Sequence, residues 1–175
     1  MRVQWKDKKK IPGKTMTVEQ FGKIINYFKH IDFCGQISDP IFNPNFITFL
    51  SMCRDAQKSS TVHTAASQRP ISWYEKAFDT NPKTRWIFGV DGLPEESCMY
   101  RINQDGEKLF EAMKMGAKKG LQIEWQYIVF SYNEDHIQEA YEMAKDNNIQ
   151  FVINYSGRWK DDQDPYKPRN PEFST

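Results

Sequence analysis

The stretch QIEWQYIVF, residues 122–130, decides the fold of this 175-residue chain. Its side chains alternate in polarity, with Trp125 and Tyr127 on one side and Glu124 and Gln126 on the other. A period of two residues is typical of a β-strand. The apolar side of this strand is expected to lie beneath helices, because an unpaired carboxylate or amide is costly to bury there. Glu124 and Gln126 are therefore expected to face inward, away from the helices.

A helix and a second strand follow this stretch. Residues 137–144 carry apolar side chains at helical spacing, and an alternating strand pattern returns at residues 149–154. Asn133 is expected to cap the helix, and Asn147 and Asn148 to end it. A strand, a helix and a strand in this order predict a parallel pair joined by a crossover.

The same alternation runs through the upstream sequence. Three further strands are predicted at residues 31–34, 61–65 and 85–90, and four further helices at residues 17–28, 46–53, 72–78 and 109–117. Capping boxes are predicted at Thr17–Gln20 and Ser72–Glu75, and Gly120 is expected to end the fourth helix. The sequence therefore predicts an α/β fold of repeating β-α units that form an open, partial (β/α) barrel of the TIM type.

Three segments organise the chain. Residues 1–16 form a basic amino-terminal segment, residues 17–156 form the β-α domain, and residues 157–175 are polar and punctuated by proline. The last segment is expected to be an extended tail or a linker.

Composition narrows the classes of partner. The 24 basic and 23 acidic residues give a formal net charge of +1, which offers no general attraction for nucleic acid or membrane. No apolar stretch follows the basic segment that would make it a signal peptide. Three widely separated cysteines argue against a disulfide framework and a self-contained zinc site. A soluble protein of the reducing cytoplasm is expected.

Polar residues follow two predicted strands at the rim where parallel-sheet proteins bind ligands. Asp91 and Gly92 come directly after residues 85–90, and Asp91 is suited either to a ribose hydroxyl or to a simple Asp-Gly turn. Gly35 and Asp39 follow the first strand; Asp39 is suited either to an amino group or to an Asx turn before Pro40. Both alternatives stay open for each aspartate.

Two inward residues have alternative roles. Glu124 is either a general acid or base, or the partner of an interior Lys or Arg. His63 is either a hydrogen-bonded interior residue or a catalytic base. The three histidines, His30, His63 and His136, share no spacing that predicts a metal site, so neither a metal ligand nor a catalytic residue is assigned.

Four segments between Thr17 and Ser156 carry recognisable motifs. They are residues 33–46, FCGQISDPIFNPNF; residues 63–66, HTAA; residues 88–93, FGVDGL; and residues 125–130 with Asn133 and Glu134. Together they resemble the radical S-adenosylmethionine superfamily, especially its peptide-modifying and SPASM-type branches. The first segment is similar to that family's strand, Gly-Gly-Glu-Pro loop and Asn-Pro-x-Phe helix start, with one insertion. The second resembles its Thr-Asn-Gly turn, the third its Ser-x-Asp-Gly segment, and the fourth its fifth strand and following helix.

The resemblance implies a site for S-adenosylmethionine. Gln36 or Asp39 would replace the family's glutamate at the methionyl amino group, and Asp91 with Arg101 would contact the ribose or the carboxylate. The implied cofactor-binding residues are Gly35, Gln36, Asp39, Thr64, Asp91, Arg101, Gln126 and Asn154.

One family feature is absent from this sequence. The family places a strand and a Cys-x-x-x-Cys-x-x-Cys loop before the first helix, and those thiolates hold a four-iron, four-sulfur cluster. Cys34, Cys53 and Cys98 do not have that spacing. The resemblance therefore implies that the first, cluster-bearing strand is missing, and that a cluster belongs only to a complete parent protein.

The leading hypothesis is the S-adenosylmethionine-binding portion of an enzyme that would use the cluster to generate a deoxyadenosyl radical, inactive as this chain alone. The substrate is unknown, and a peptide is one candidate. The alternative is a non-catalytic module of the same fold that binds a nucleoside or a partner. A hydrolase is the weakest option, because the sequence spacing supports no pair of nucleophile and base.

Overall fold

A computed structural model of the chain describes residues 14–35 and 38–174. It contains one five-stranded parallel sheet whose strands lie side by side in chain order. The strands are β1 (His30–Phe33), β2 (Ser59–Thr64), β3 (Arg85–Gly89), β4 (Ile123–Ile128) and β5 (Gln150–Asn154). The helices are α1 (Val18–Ile25), α2 (Phe46–Asp55), α3 (Ile71–Thr80), α4 (Gly106–Lys118) and α5 (Ile137–Asp146). This confirms the predicted α/β fold of repeating β-α units in an open, partial barrel.

The helices cover one face of the sheet, which we call the helix-covered face. Trp86 of β3 and Trp125 of β4 point into it and are fully buried. Phe78 of α3 meets Trp86 edge to face, with 5.1 Å between ring centroids, and Phe110 of α4 packs on Trp125 at 5.4 Å. The aromatic side chains of alternate strand positions thus form the core.

The opposite face, which we call the open face, carries polar side chains. Register pairs Ile87 with Glu124 and Gly89 with Gln126, so these residues share that face. Glu124 is buried and forms an ion pair with Arg85. Of the two roles considered for Glu124, the structure therefore shows the pairing with an arginine.

Of three predicted N-terminal helix caps, the structure confirms one and shows that two are wrong. Thr17 and Gln20 form the predicted reciprocal capping box of α1, with bonds of 3.0 and 3.2 Å. The box predicted at Ser72 is wrong, because α3 begins at Ile71; Ser72 therefore lies inside the first turn, and the N-cap, Pro70, makes no side-chain bond. Asn133 does not cap α5: its side chain accepts from the Phe130 amide and donates to the Ile128 carbonyl, closing the end of β4.

The C-terminal segment, residues 157–174, lies against the domain, whereas the sequence predicted an extended tail or a linker. Its Pro168 is buried, and Phe173 stacks on Tyr155 with 5.9 Å between ring centroids. Tyr166 contacts Phe130 beyond β4. Aromatic contacts that composition does not reveal hold this polar segment in place.

Within the described residues, no helix has the length and apolar character that a membrane span requires.

Candidate functional site

A cavity of about 300 Å³ opens at the carboxyl ends of the first four strands. This volume is at the lower end of the range for small-molecule sites. Five of the eight predicted cofactor-binding residues line it: Gly35, Asp39, Thr64, Arg101 and Gln126. The other lining residues are Cys34, Pro40, His63, Ala65, Ile87 and Gly89. The cavity lies on the rim where the sequence predicted ligand binding.

Asp39 fixes one wall of the cavity by joining the loop after β1 to the end of β2. Its carboxylate accepts from the Ile41 amide at 3.2 Å, from the Thr64 hydroxyl at 3.0 Å and from the Ala65 amide at 2.9 Å. Burial raises the pKa of Asp39, and the bonds from Ala65 and Ile41 oppose that shift. The predicted Asx turn is therefore present, and an incoming amino group would share a carboxylate whose two oxygens already accept from three protein groups.

Asp91 lies behind the cavity and does not line it. The side chain is fully buried, where one carboxylate oxygen accepts from Arg101 Nε at 2.7 Å and the other from the Ile128 amide at 3.1 Å. Burial raises the pKa of Asp91, and the Arg101 guanidinium opposes this. Gly92 has φ +111°, as the predicted Asp-Gly turn requires. The structure gives Asp91 the role of holding Arg101, and its contact with a ribose stays a prediction.

Arg101 brings a fixed positive charge to the cavity. Its guanidinium lies over Gly89, where an added Cβ would come within 3.1 Å of Nη2. Nε is occupied by Asp91, and no protein group within residues 14–35 and 38–174 accepts from the two terminal nitrogens. A guanidinium with two free nitrogens in a cavity suits a carboxylate or a phosphate.

Sequence analysis did not identify Gln104. Its amide nitrogen donates to the carbonyl oxygens of Ala65 at 2.6 Å and Gly89 at 3.0 Å, so it bridges the ends of β2 and β3. Gln104 therefore anchors the loop of residues 90–105, which carries Arg101. A glutamine within a loop carries no sequence signal for such a bond, because its partners are distant along the chain.

Three other residues with predicted roles remain: Gln36, Asn154 and His63. Gln36 lies outside the described residues. Asn154 ends β5 and does not line the cavity, although its carbonyl accepts from the Val129 amide at 3.1 Å. His63 lines the cavity, half-buried, and forms no hydrogen bond with another described residue, so neither of its two predicted roles is decided. Its chemical role stays a prediction.

A second polar group lies at the opposite ends of β1 and β2. His30 contacts the Ser59 hydroxyl at 2.8 Å through Nδ1 and Asp32 at 3.1 Å through Nε2. These are the residue types of a hydrolytic triad, brought together from positions that sequence spacing did not connect. The side chains of His30 and Asp32 are about half exposed, and the Ser59 hydroxyl also donates to the Lys29 carbonyl. We assign this group the role of joining the edge strand to its neighbour.

The described residues do not form a site for an iron–sulfur cluster. Cys34 is exposed at the cavity, Cys53 is buried beneath α1, and Cys98 is exposed on the loop before α4. Among the described positions, no three His, Cys, Asp or Glu side chains are arranged to hold a metal ion. Burial raises the pKa of the Cys53 thiol to about 11, which makes it a poor metal ligand.

Comparison with known proteins shows the fold. No family model matches the chain, and no curated protein matches it. Streptococcus suis SuiB bound to S-adenosylmethionine superimposes with a TM-score of 0.61 and 15% identity, over 76% of this chain and 31% of that one. SuiB bound to the precursor peptide SuiA gives 0.60 and 15%, over 76% and 30%.

Another solved structure, anSMEcpe with bound AdoMet and Cp18Cys peptide, gives a TM-score of 0.62 and 14% identity. That match covers 87% of this chain and 46% of the other. The chain thus spans between 30% and 46% of the length of these proteins. At this identity, the comparison shows that the chain shares the open parallel β-α fold of SuiB and anSMEcpe.

Proposed function

We propose that this chain binds S-adenosylmethionine in the rim cavity, as the cofactor-binding portion of a radical S-adenosylmethionine enzyme. The observation that carries the proposal is Arg101. It is held by a buried carboxylate and lines the cavity, and its two terminal nitrogens meet no acceptor in the part of the chain that the structure describes. The methionyl carboxylate of the cofactor is a suitable acceptor for them.

The other walls of the cavity fit the same ligand. Gly89, which has no side chain, leaves room for the Arg101 guanidinium to lie over it at the cavity. Gln126, on the open face, lines the cavity, and its side-chain amide forms no hydrogen bond with another described residue, so it is suited to donate to or accept from a ribose hydroxyl. When bound, S-adenosylmethionine would supply a deoxyadenosyl group; the residues described here bind and orient it.

Two proteins of similar fold support the binding proposal. SuiB and anSMEcpe both have structures with S-adenosylmethionine bound, and both also have structures with a peptide bound. We propose a peptide as the class of substrate for the parent enzyme on this likeness. The iron–sulfur cluster enters no step here, because the described residues do not provide its ligands.

The second candidate is a non-catalytic nucleoside-binding or partner-binding module of the same fold. The separation of the three cysteines favours it. Anaerobic treatment of the chain with iron and sulfide tests whether this chain by itself assembles a cluster. A stoichiometric cluster would contradict the proposed inactivity of this chain, whereas S-adenosylmethionine affinity with no cluster agrees with either a cofactor-binding portion or a module.

Calorimetry tests the binding proposal. Arg101→Ala should weaken S-adenosylmethionine binding by about 10- to 100-fold, the equivalent of about 1.5–3 kcal/mol for a charge-assisted hydrogen bond. Methylthioadenosine has no amino-acid carboxylate, so its affinity should change little. Arg54→Ala is the control, because Arg54 is an exposed arginine of α2 that pairs with Asp55 away from the rim. Absence of binding to the unmodified chain, or an equal loss for both ligands, would overturn the assignment of Arg101.

A further inference from the structure

The C-terminal segment crosses the Arg101 loop at Tyr166. The Tyr166 hydroxyl donates to the Met99 carbonyl oxygen at 3.3 Å. Its ring meets the Tyr100 ring edge to face, with 5.3 Å between centroids. Both contacts fall on the two residues that precede Arg101. The segment therefore touches the loop beside the residue that carries the proposed function.

Tyr166 is itself fixed from the other side, by the turn after β4. The Ser131 amide donates to the Tyr166 carbonyl at 3.1 Å, and the Ser131 hydroxyl donates to the Pro165 carbonyl at 2.5 Å. The Tyr166 ring also lies against Phe130, at 6.1 Å between centroids. Tyr166 thus connects the end of β4 to the Arg101 loop.

A buried carboxylate anchors the segment a few residues further on. The Glu134 side chain is 4% exposed and pairs with the Arg169 side chain. It accepts from the backbone amides of Arg169 at 3.2 Å and Asn170 at 3.0 Å. Although burial opposes ionisation, these bonds lower the pKa of Glu134 below its ordinary value. Glu134 therefore stays ionised at neutral pH and holds the segment in place.

Gln104 anchors the carboxyl-terminal end of the Arg101 loop, but side chains close to Arg101 are exposed. Residues 90–105 contain only a short 3₁₀ helix at Ser97–Met99, and Met99 and Ile102 are 52% and 62% exposed. Asp91 fixes Arg101 through a single nitrogen, Nε. An unsupported loop would lose conformational entropy on ligand binding, at a cost in affinity.

We propose that Tyr166 is a positioning residue that holds the Arg101 guanidinium in the rim cavity. The proposal rests on the proposed function, in which Arg101 binds the ligand carboxylate. The C-terminal segment is then part of the binding site without contacting the ligand. Removing the Tyr166 side chain loosens Met99 and Tyr100, and the Arg101–Asp91 bond opens more often.

Nuclear magnetic resonance of the arginine Nε–H groups tests the proposal with no ligand present. Arg101→Lys identifies the Arg101 signal by its loss. Because Asp91 is buried, this proton should exchange slowly with water in the unmodified chain. Tyr166→Ala should speed the exchange by about 10-fold or more, since opening of the pair limits it. Tyr166→Phe keeps the ring, removes only the bond to Met99, and should give a smaller increase.

Tyr155→Ala is the matched control. It removes an aromatic contact with Phe173 at the far end of the same segment and should leave Arg101 exchange unchanged. Equal exchange in Tyr166→Ala and the unmodified chain would overturn the proposal. So would equal acceleration by Tyr155→Ala, because it would show general loosening of the segment. If Tyr166→Ala does not fold, the Arg101 Nε–H exchange rate of Tyr166→Phe is compared with that of the unmodified chain instead.

Calorimetry then separates this inference from the proposed function. Tyr166→Ala should weaken S-adenosylmethionine binding by about 5- to 20-fold, less than the complete loss of the Arg101 bond. In an Arg101→Ala background, Tyr166→Ala should have no further effect, because it acts through Arg101. An additive loss would overturn the positioning role. If the unmodified chain does not bind S-adenosylmethionine, the proposed function fails, and the exchange measurement still decides whether Tyr166 positions Arg101.

Discussion

The helix-covered face and the open face of the sheet are built from the same five strands, yet they carry different kinds of side chain. The helix-covered face is aromatic and closed around Trp86 and Trp125. The open face carries an ion pair, Arg85 with Glu124, and the cavity residues His63 and Gln126. Parallel sheets usually have both faces covered. The difference indicates that the core lies on one face, and the proposed ligand binding would use the other.

Trp125 and Gln126 give the largest expected contrast, because they are neighbours in β4 on opposite faces. Trp125→Ala should cost about 3–5 kcal/mol in the free energy of unfolding, through the lost burial and the cavity left behind. It also removes the bond from the indole nitrogen to the Val90 carbonyl, which is 2.8 Å long. Gln126→Ala should cost less than about 0.5 kcal/mol. Urea denaturation measures both, and equal losses would contradict the division between the two faces.

Asp91 sharpens the comparison, because it is a buried charge on the open side of the sheet. Asp91→Asn should cost about 1–3 kcal/mol in the free energy of unfolding, since Arg101 loses its charged partner and the bond to Ile128 is weakened. Asp79→Asn is the control. Asp79 pairs with Lys119 on the exposed surface, so its substitution should cost about 0–1 kcal/mol. Urea denaturation measures both variants. Equal free energies of unfolding would show that Asp91 is not a structural support for Arg101.

Gly89 gives a small expected effect on stability and a modest one on binding. Gly89→Ala places a Cβ about 3 Å from Arg101 Nη2 and should move the guanidinium. S-adenosylmethionine affinity should fall by about 3- to 10-fold, as part of a charge-assisted bond is lost. Unfolding should change by less than about 1 kcal/mol, because alanine is tolerated in a strand.

Gly22→Ala serves as the control for Gly89. Its new Cβ would meet only Met52 Cε, at an ordinary contact distance of 3.6 Å, and it lies in α1, away from the rim. Calorimetry should show unchanged S-adenosylmethionine affinity for this variant. A loss equal to that of Gly89→Ala would mean that the effect does not arise at Arg101.

Local patterns predicted the secondary structure well where each segment contains its own partners. The Thr17 capping box is an example, because both of its bonds join residues three apart. Ser72 failed as a cap, since the same residue types also occur inside a first helical turn. The C-terminal segment was predicted as a tail because its polar composition does not reveal the Glu134 carboxylate that anchors Arg169.

The candidate site was also predicted only in part, because local patterns do not reveal bonds between distant segments. The rim location of Asp39 and Arg101 followed from strand order and family resemblance, and both line the cavity. Gln104 was missed, because its acceptors lie 39 and 15 residues away along the chain. Hydrogen bonds of this kind are set by the packing of loops, which periodicity does not describe.

The sequence by itself determined which side chains share a face of the sheet. The alternation in residues 122–130 placed Trp125 toward the helices and Glu124 toward the open face, since successive strand residues point in opposite directions. Only the tertiary structure decided which partners those side chains meet. Glu124 pairs with Arg85, 39 residues away, and Asp91 accepts from Arg101 on one side and Ile128 on the other. Such bonds depend on how distant segments approach one another, which the order of residues in a single segment does not specify.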